Sequence, residues 1–405
     1  MKNLKKYGEE VYKCSGCGIC HDICPVFEIT KRESAVSRGK FKLLNALINQ
    51  DIKPSKRGAE IMDLCLHCNA CSEFCPSGIN AQKIIACAKS DFYAMGFTSP
   101  VKRLLSTVFS SRLMLSLIKF AANLYRNFKI LDIVEFVNNK TFQIKKIKLL
   151  NSILKINVKK NPTNAIPAPK YTAAYFKGCI NTYFNPSCAN AVGNICNSAG
   201  IKLLEVDFQC CGLPSKNIGD VQTYIRLARK NIDTALKSLE QADYIITDCS
   251  TCASAFEEYS QDLPEELALK AQEISQKFIS VYELLEIIDF KTDLSNQTVT
   301  YHDPCHTTRF KKTSRLPRKL LANSGVNLTE MKDSTKCCGA AGSFMLTNPD
   351  LSEQISTAKA QNIIATKADI VLTSCPSCTI GLNQGLINQK SNVKVMQLVE
   401  FLARN

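Results

Sequence analysis

No uninterrupted apolar stretch in this 405-residue chain approaches the roughly 18 to 20 residues that a membrane-spanning helix requires, so any membrane contact is expected to be peripheral. Residues 1–13 place charges on both sides of Tyr7 and contain no apolar core of the secretory-signal kind, which points to the cytoplasm. No Gly-x-Gly-x-x-Gly follows a predicted strand, which argues against a dinucleotide site within the chain. Phe109, Phe120, Tyr125 and Phe142 are interleaved with basic residues, but no nucleic-acid-binding motif accompanies them, and nucleic acid is not expected as a partner.

What the chain has in excess is cysteine, 21 residues in all. A short secreted chain with that enrichment would suggest disulfides. Here the thiols fall in Cys-x2-Cys groups along a long, lysine-rich sequence and read as reduced metal ligands. Two identical runs lead, Cys14-x2-Cys17-x2-Cys20-x3-Cys24-Pro25 and Cys65-x2-Cys68-x2-Cys71-x3-Cys75-Pro76. In this bacterial ferredoxin pattern three thiolates at steps of three wrap one face of a [4Fe-4S] cube, and the fourth cysteine reaches the neighbouring cube. The expected sets are therefore Cys14, Cys17, Cys20 and Cys75 for one cluster, and Cys65, Cys68, Cys71 and Cys24 for the other.

Gly16 and Gly18 let the backbone pass close to the first cluster and aim N–H groups at its sulfurs. Eight thiols in two identical runs exceed what zinc would need, and two cubes in close array mean electron relay. His21 and His67 are read as solvent-facing loop residues, with a hydrogen bond to cluster sulfur as the alternative. Cys87, on a predicted helix over 81–89, and Cys188 and Cys196, on a helix predicted after Cys179, are assigned to packing.

The second half of the chain is a tandem repeat. Cys179, Cys210-Cys211-Gly212 and Cys249-x2-Cys252 return about 126 residues later as Cys305, Cys337-Cys338-Gly339 and Cys375-x2-Cys378. Five thiols per site exceed a tetrahedral zinc, whereas a cluster of several irons can use all five. Each repeat alternates strand and helix, which predicts a largely parallel sheet, and each cysteine group follows a strand, which places it at the carboxyl edge. His302 and His306 flank Cys305 and are candidates either to move protons at this site or to orient a ligand thiolate.

These spacings resemble the cysteine-rich CCG domain of heterodisulfide reductases and of the iron–sulfur subunits of glycolate, lactate and anaerobic glycerol-3-phosphate dehydrogenases. The likeness covers residues 171–405. The separation of about forty residues between the two ferredoxin runs is similar to that of the helical ferredoxin domain of succinate dehydrogenase and heterodisulfide reductase subunits. Glu33-Ser34-Ala35-Val36-Ser37-Arg38-Gly39 resembles a Glu-Ser-x-x-x-Arg-Gly stretch of glycolate oxidase subunits. The resemblance implies one or two noncubane [4Fe-4S] clusters in the CCG domains, with zinc as the alternative in the first, and no flavin in this chain. It also implies an FAD-containing dehydrogenase subunit as partner and quinone as acceptor. The intact Cys375 and Cys378 depart from some glycolate oxidase subunits and bring the chain nearer to the CCG-containing subunits of anaerobic glycerol-3-phosphate dehydrogenase and heterodisulfide reductase.

Residues 98–161 carry thirteen Lys and Arg against Asp132 and Glu135, a net +11 of the whole-chain +15. Leu113, Leu117, Ala121, Leu124, Phe128 and Leu131 fall on one helical stripe, so this basic amphipathic segment is a candidate for docking on an anionic cytoplasmic membrane surface or a partner subunit. The predicted fold is α+β and multidomain: a helical two-cluster ferredoxin domain over 1–97, a basic helical connector over 98–168, and tandem α/β CCG domains over 169–292 and 293–405.

Overall fold

The computed structural model describes residues 1–127, 169–295 and 297–404. Phe128, Leu131 and the part of the expected connector from residue 128 to 168 lie outside them.

The N-terminal domain is helical throughout. Helix α1 (Ser37–Ile48) bridges the two cysteine runs and buries Phe41, Leu44 and Leu47. Helix α2 (Ala81–Ala94) begins where the Asn80 side chain accepts from Lys83 N, and it outlasts the predicted span by one turn because Phe92 still packs inward. Leu4, Phe41, Leu44, Met62, Ile84 and Phe92 form its core. The turn Glu33–Ala35 lies flat against the start of α1, and a Cβ on Gly39 would stand 2.1 Å from the Glu33 carbonyl oxygen. Backbone cannot yield as a side chain can. Gly39→Ala is therefore expected to cost about 3 kcal/mol, read as a lowered thermal midpoint and incomplete cluster incorporation, because overpacking here displaces main chain.

Helix α3 (Pro100–Ser110) is capped by Ser99, whose side chain accepts from Lys102 N, and it meets helix α4 (Arg112–Asn127) at 95°. Among the described residues no single helix is long and apolar enough to cross a membrane. Helix α3 is fastened to the first repeat: Ser106 Oγ lies 2.9 Å from Ser215 Oγ and 2.8 Å from Asp220 Oδ2. Arg112 fastens α4, donating from Nη2 to the carbonyls of Asp207 (2.9 Å) and Phe208 (2.8 Å) and from Nη1 to the Asp207 carboxylate. Among the described side chains of α4 Leu115 is the buried one, while Leu113 and Leu117 of the predicted stripe are 70% and 58% exposed.

Each repeat folds as a four-stranded sheet. The first comprises β1 (Tyr171–Tyr175), β2 (Ile201–Glu205), β3 (Tyr244–Thr247) and β4 (Phe278–Ser280), ordered β2-β1-β3-β4. The second comprises β5 (Thr298–Tyr301), β6 (Asn327–Leu328), β7 (Ile370–Thr373) and β8 (Lys394–Gln397), ordered β6-β5-β7-β8. Every pairing is parallel, with Ala173 opposite Tyr244 and Val299 opposite Ile370 at the equivalent central ladders. Parallel strands need crossover helices, and these cover both faces. One face of each sheet contributes to a shared core in which Tyr175, Ile246 and Leu285 join Tyr301, Leu372 and Phe401, so the repeats are one packed body.

Two expectations needed revision. The long helix predicted after Cys179 is two, Gly178–Tyr183 and Pro186–Ser198, because Pro186 has no N–H for the preceding turn and starts a new helix at its first position. The strand that the alternation places before Cys337 is short, Asn327–Leu328: after Thr329 N bonds to Val299 O the chain leaves the sheet toward Cys337. Cys188 and Cys196 lie fully within the shared core.

Candidate metal centres and electron route

The two ferredoxin runs fold around two adjacent cavities. Cys14, Cys17, Cys20 and Cys75 line the first, Cys24, Cys65, Cys68 and Cys71 line the second, and Cys20 and Cys71 border both. Left-handed turns make this possible: Gly16 and Gly18 have φ of 71° and 87° in the first run, and His67 and Asn69 take the matching places in the second at 53° and 61°. His67 N–H points at Cys65 Sγ, 3.4 Å away. His67 is not solvent-facing as read from sequence. It is 4% exposed, and neither ring nitrogen has a hydrogen-bond partner among the described residues; the flanking Leu66 and Cys68 pack with Cys337 and Phe344 of the second repeat. His21 is partly covered, 2.9 Å from Glu33 and stacked on Phe27.

The donor set fits iron–sulfur clusters. None of the 21 cysteines is in a disulfide. Burial pushes the Cys20, Cys24 and Cys68 thiols up and takes Cys71 to about 12. Thiols so placed become thiolates when a metal cation supplies the compensating charge.

Two cations missed in the sequence reading support these loops, although both lie in or beside the Glu-Ser-x-x-x-Arg-Gly stretch. Arg38 grips Glu33 through Nε (2.7 Å) and Nη2 (3.0 Å) and donates from Nη1 to the Gly16 carbonyl (3.0 Å), tying α1 to the first cysteine loop. Lys40 is buried on the wall of the second cavity, where Nζ donates to the carbonyls of Ser34 (3.1 Å) and Ala35. Burial pulls its pKa down, and the Cys65 and Cys24 thiols push it back up. A cation there favours an added electron. At roughly 8 Å and an effective dielectric of about 20 the interaction is about 2 kcal/mol, so Lys40→Met is expected to lower the midpoint potential of the second ferredoxin cluster by about 80 mV in an EPR-monitored titration.

The five-cysteine sites sit at the carboxyl edges of the two sheets. In the first, Cys210 Sγ lies 3.7 Å from Cys179 Sγ, and Cys211, Cys249 and Cys252 complete the group. In the second, Cys338 Sγ lies 3.3 Å from Cys378 Sγ, with Cys305, Cys337 and Cys375 beside them. Hydrogen bonds from neighbouring thiols hold Cys210 in the first group, and Cys337 and Cys375 in the second, well below the usual thiol range. Lys216 joins the helices that follow two of the first site's cysteine groups, Leu213–Ile218 and Ala255–Asp262, with Nζ 2.7 Å from Glu258 and 2.5 Å from Asp262.

His302 is fully buried, neither ring nitrogen has a hydrogen-bond partner among the described residues, and it forms one compact group of donors with Cys338 and Cys378. Burial takes it to about 3, so the imidazole is neutral in the physiological range. Phe176 holds the equivalent place in the first repeat. His306 stacks on Phe310 in the wide helical turn His306–Phe310, with Nδ1 3.6 Å from Cys305 Sγ and 3.3 Å from Thr251 Oγ1 of the other repeat.

The sites form one continuous series. Cys24 and Cys68 of the second ferredoxin cavity pack with Val26, Leu66, Phe344 and Ile355 against Cys337, flanked by Lys336–Glu28 (2.5 Å) and Arg309–Glu73 (3.0 Å). The two repeats meet at their last cysteine groups: Ser250 N donates to Ser374 O (2.9 Å), Thr251 Oγ1 lies 3.5 Å from Cys375 Sγ, and the Cys249 and Cys375 thiols are hydrogen-bonded to each other. The series is open at its ends. Cys17 is exposed at one, and Cys179 and Cys210 border an open cavity at the other.

Comparison with known proteins agrees with this geometry. The cysteine-rich domain CCG matches residues 173–257 and again 299–383, and a 4Fe-4S dicluster domain matches residues 10–79. The chain is similar to a probable glycolate oxidase iron-sulfur subunit of Bacillus subtilis, 26% identical over 97% of this chain and 93% of the relative. It is similar to the glycolate oxidase iron-sulfur subunit of Escherichia coli, 24% identical over 90% of this chain and 88% of the relative. It also resembles a subunit of the dihydromethanophenazine:CoB–CoM heterodisulfide reductase of Methanosarcina barkeri, 30% identical over 58% of this chain and 59% of the relative.

Proposed function

Since the chain is an iron–sulfur oxidoreductase subunit built from a 4Fe-4S dicluster domain and two CCG domains, we propose that it serves a flavin-dependent 2-hydroxy-acid dehydrogenase of the glycolate or D-lactate type. The observation that carries this reading is the unbroken series of thiol sites from exposed Cys17 to the cavity beside Cys179. A hydroxy acid gives up two electrons together, as a hydride, to an FAD-containing partner, and this chain relays them singly to quinone. Two [4Fe-4S] clusters sit on the ferredoxin cysteines. Noncubane [4Fe-4S] clusters sit on the five-cysteine groups, with zinc the alternative in the first. Iron in these sites supplies one-electron redox chemistry. The protein's own residues hold thiolates at short spacing, exclude water from the inner sites and place cations such as Lys40 and Arg309 beside them.

The exposed Leu113, Leu117 and Phe120 on α4, together with the +11 charge of residues 98–161, support docking at the cytoplasmic face of the membrane, where each basic residue near anionic lipid contributes about 1 kcal/mol. The test is anaerobic isolation of the native complex through this chain, then cluster bleaching and EPR after separate addition of glycolate, D-lactate and glycerol 3-phosphate. Rapid reduction by glycolate or D-lactate, with FAD in the complex, supports the assignment; reduction by glycerol 3-phosphate alone moves it to the glycerol-3-phosphate dehydrogenase type. The two intact five-cysteine sites favour a second reading, a heterodisulfide-reductase-like disulfide reductase. Failure of all three donors where dithionite succeeds would select it.

A further inference from the structure

Where the relay delivers its electrons is decided by which end of the series a small molecule can reach. The second five-cysteine site is closed by the ferredoxin domain, with Cys337 packed beneath Val26, Leu66 and Phe344. The first is not. Helices α3 and α4 roof an open cavity of about 270 Å³, just below the roughly 300 to 1,000 Å³ usual for small-molecule sites, and Cys179 and Cys210 are in its wall. Cys211, Cys249 and Cys252 are not, so the cavity lies beside the thiol group and not inside it.

The lining indicates the class of ligand. Phe109, Leu115 and Phe208 give apolar wall. The charged groups cancel: Arg112 is paired with Asp207, and Lys177 with Glu205 at 2.7 Å. A neutral ligand is favoured over an anion. Outside the cavity the same two helices present Val101, Leu104, Leu113, Leu117 and Phe120, each more than half exposed, a path for an apolar tail.

Resting on the reading above, we propose that this cavity is the quinone-reduction site and that α3 and α4 form its entrance. The quinone takes up two electrons, delivered one at a time past Cys179 and Cys210 from the hydroxy acid oxidised on the flavoprotein, and two protons from water at the open side, leaving as hydroquinone. No other reactant is consumed.

The test uses the full chain, anaerobic and loaded with its clusters, and a photoreactive azidoquinone. Cross-links are expected in residues 105–115 and 177–183. Ser110→Trp, which fills the cavity from α3, is expected to weaken quinone binding about ten-fold or more, as is Thr182→Trp from the opposite wall, whereas Leu269→Trp on a distant exposed helix is not. Cluster EPR spectra identify any variant that has failed to fold. Binding with cross-links elsewhere, or binding unchanged in both cavity variants, overturns the site and leaves quinone as the acceptor. No quinone binding at all overturns both. Displacement of the azidoquinone from these peptides by a small organic disulfide overturns the quinone assignment for the cavity.

Discussion

Cys24→Ser is expected to abolish the cluster held by the second ferredoxin run and to spare the one held by its own. Cys24 borders the cavity of Cys65, Cys68 and Cys71, while the first run is completed from the other side by Cys75. The reciprocal variant, Cys75→Ser, is expected to remove the cluster of Cys14, Cys17 and Cys20. Iron content should fall by about one four-iron cluster in each, and the EPR spectra should lose different signals. The Cys24 variant should suffer more in function, because its cluster is the one packed against Cys337, and losing it isolates the electron entry from both CCG domains. Loss of the same signal in both variants would disprove the crossed ligation.

Lys216→Met should be the most destabilising single change away from the cysteines, by about 3 to 5 kcal/mol, because it strands buried Glu258 and partly buried Asp262. Burial alone would lower the pKa of Lys216, but Glu258 and Asp262 outweigh it and hold it above the ordinary lysine value. Burial alone would raise that of Glu258, but Lys216 together with its other partners, the Ser254 hydroxyl among them, outweighs it and holds it below the ordinary carboxylate value. The lysine's contribution is therefore complete below its unfolded pKa and lost only as pH rises through its raised folded value. The Glu258 contribution is present above its unfolded pKa and lost as pH falls through its depressed one. Between pH 6.5 and 8.5 neither is lost, and the native protein's stability should not vary on account of this group. In the variant the Glu258 carboxylate loses its cation, its pKa rises, and stability should improve as pH falls from 8.5 to 6.5. Thermal midpoints across that range check the sign, and a variant that weakens toward pH 6.5 would refute the account.

Both predictions concern contacts between residues distant in sequence, and here sequence and structure divide the information. Cysteine spacing alone determined which thiols share a loop: steps of three within Cys14–Cys24 and Cys65–Cys75, and the two five-cysteine sets repeated about 126 residues apart. Alternating strand and helix determined the parallel sheets and the edge on which those sets lie, because a parallel pair needs a crossover and each cysteine group follows a strand. These are short-range constraints and can be read along the chain.

The tertiary structure decided how the sites are joined. Nothing in the spacing places Cys68 against Cys337 or Cys249 against Cys375, and both contacts arise when separate apolar surfaces close on each other. His67 shows why burial escaped the sequence reading: its loop is turn-rich by itself, and only tertiary packing, with its neighbours Leu66 and Cys68 set against Cys337 of the second repeat, removes water. The stripe on α4 shows another case, an amphipathic pattern that foretold a helix over its described part but not which residue would anchor it to the first repeat. Arg112, held by the Asp207 and Phe208 carbonyls, selects Leu115 for the interior and leaves Leu113 and Leu117 outside, above the cavity beside Cys179. The sequence determined the ligands and the sheets because both follow from local periodicity. The order of the sites, and which of them opens to a small molecule, depended on burial of surface between segments far apart in the chain.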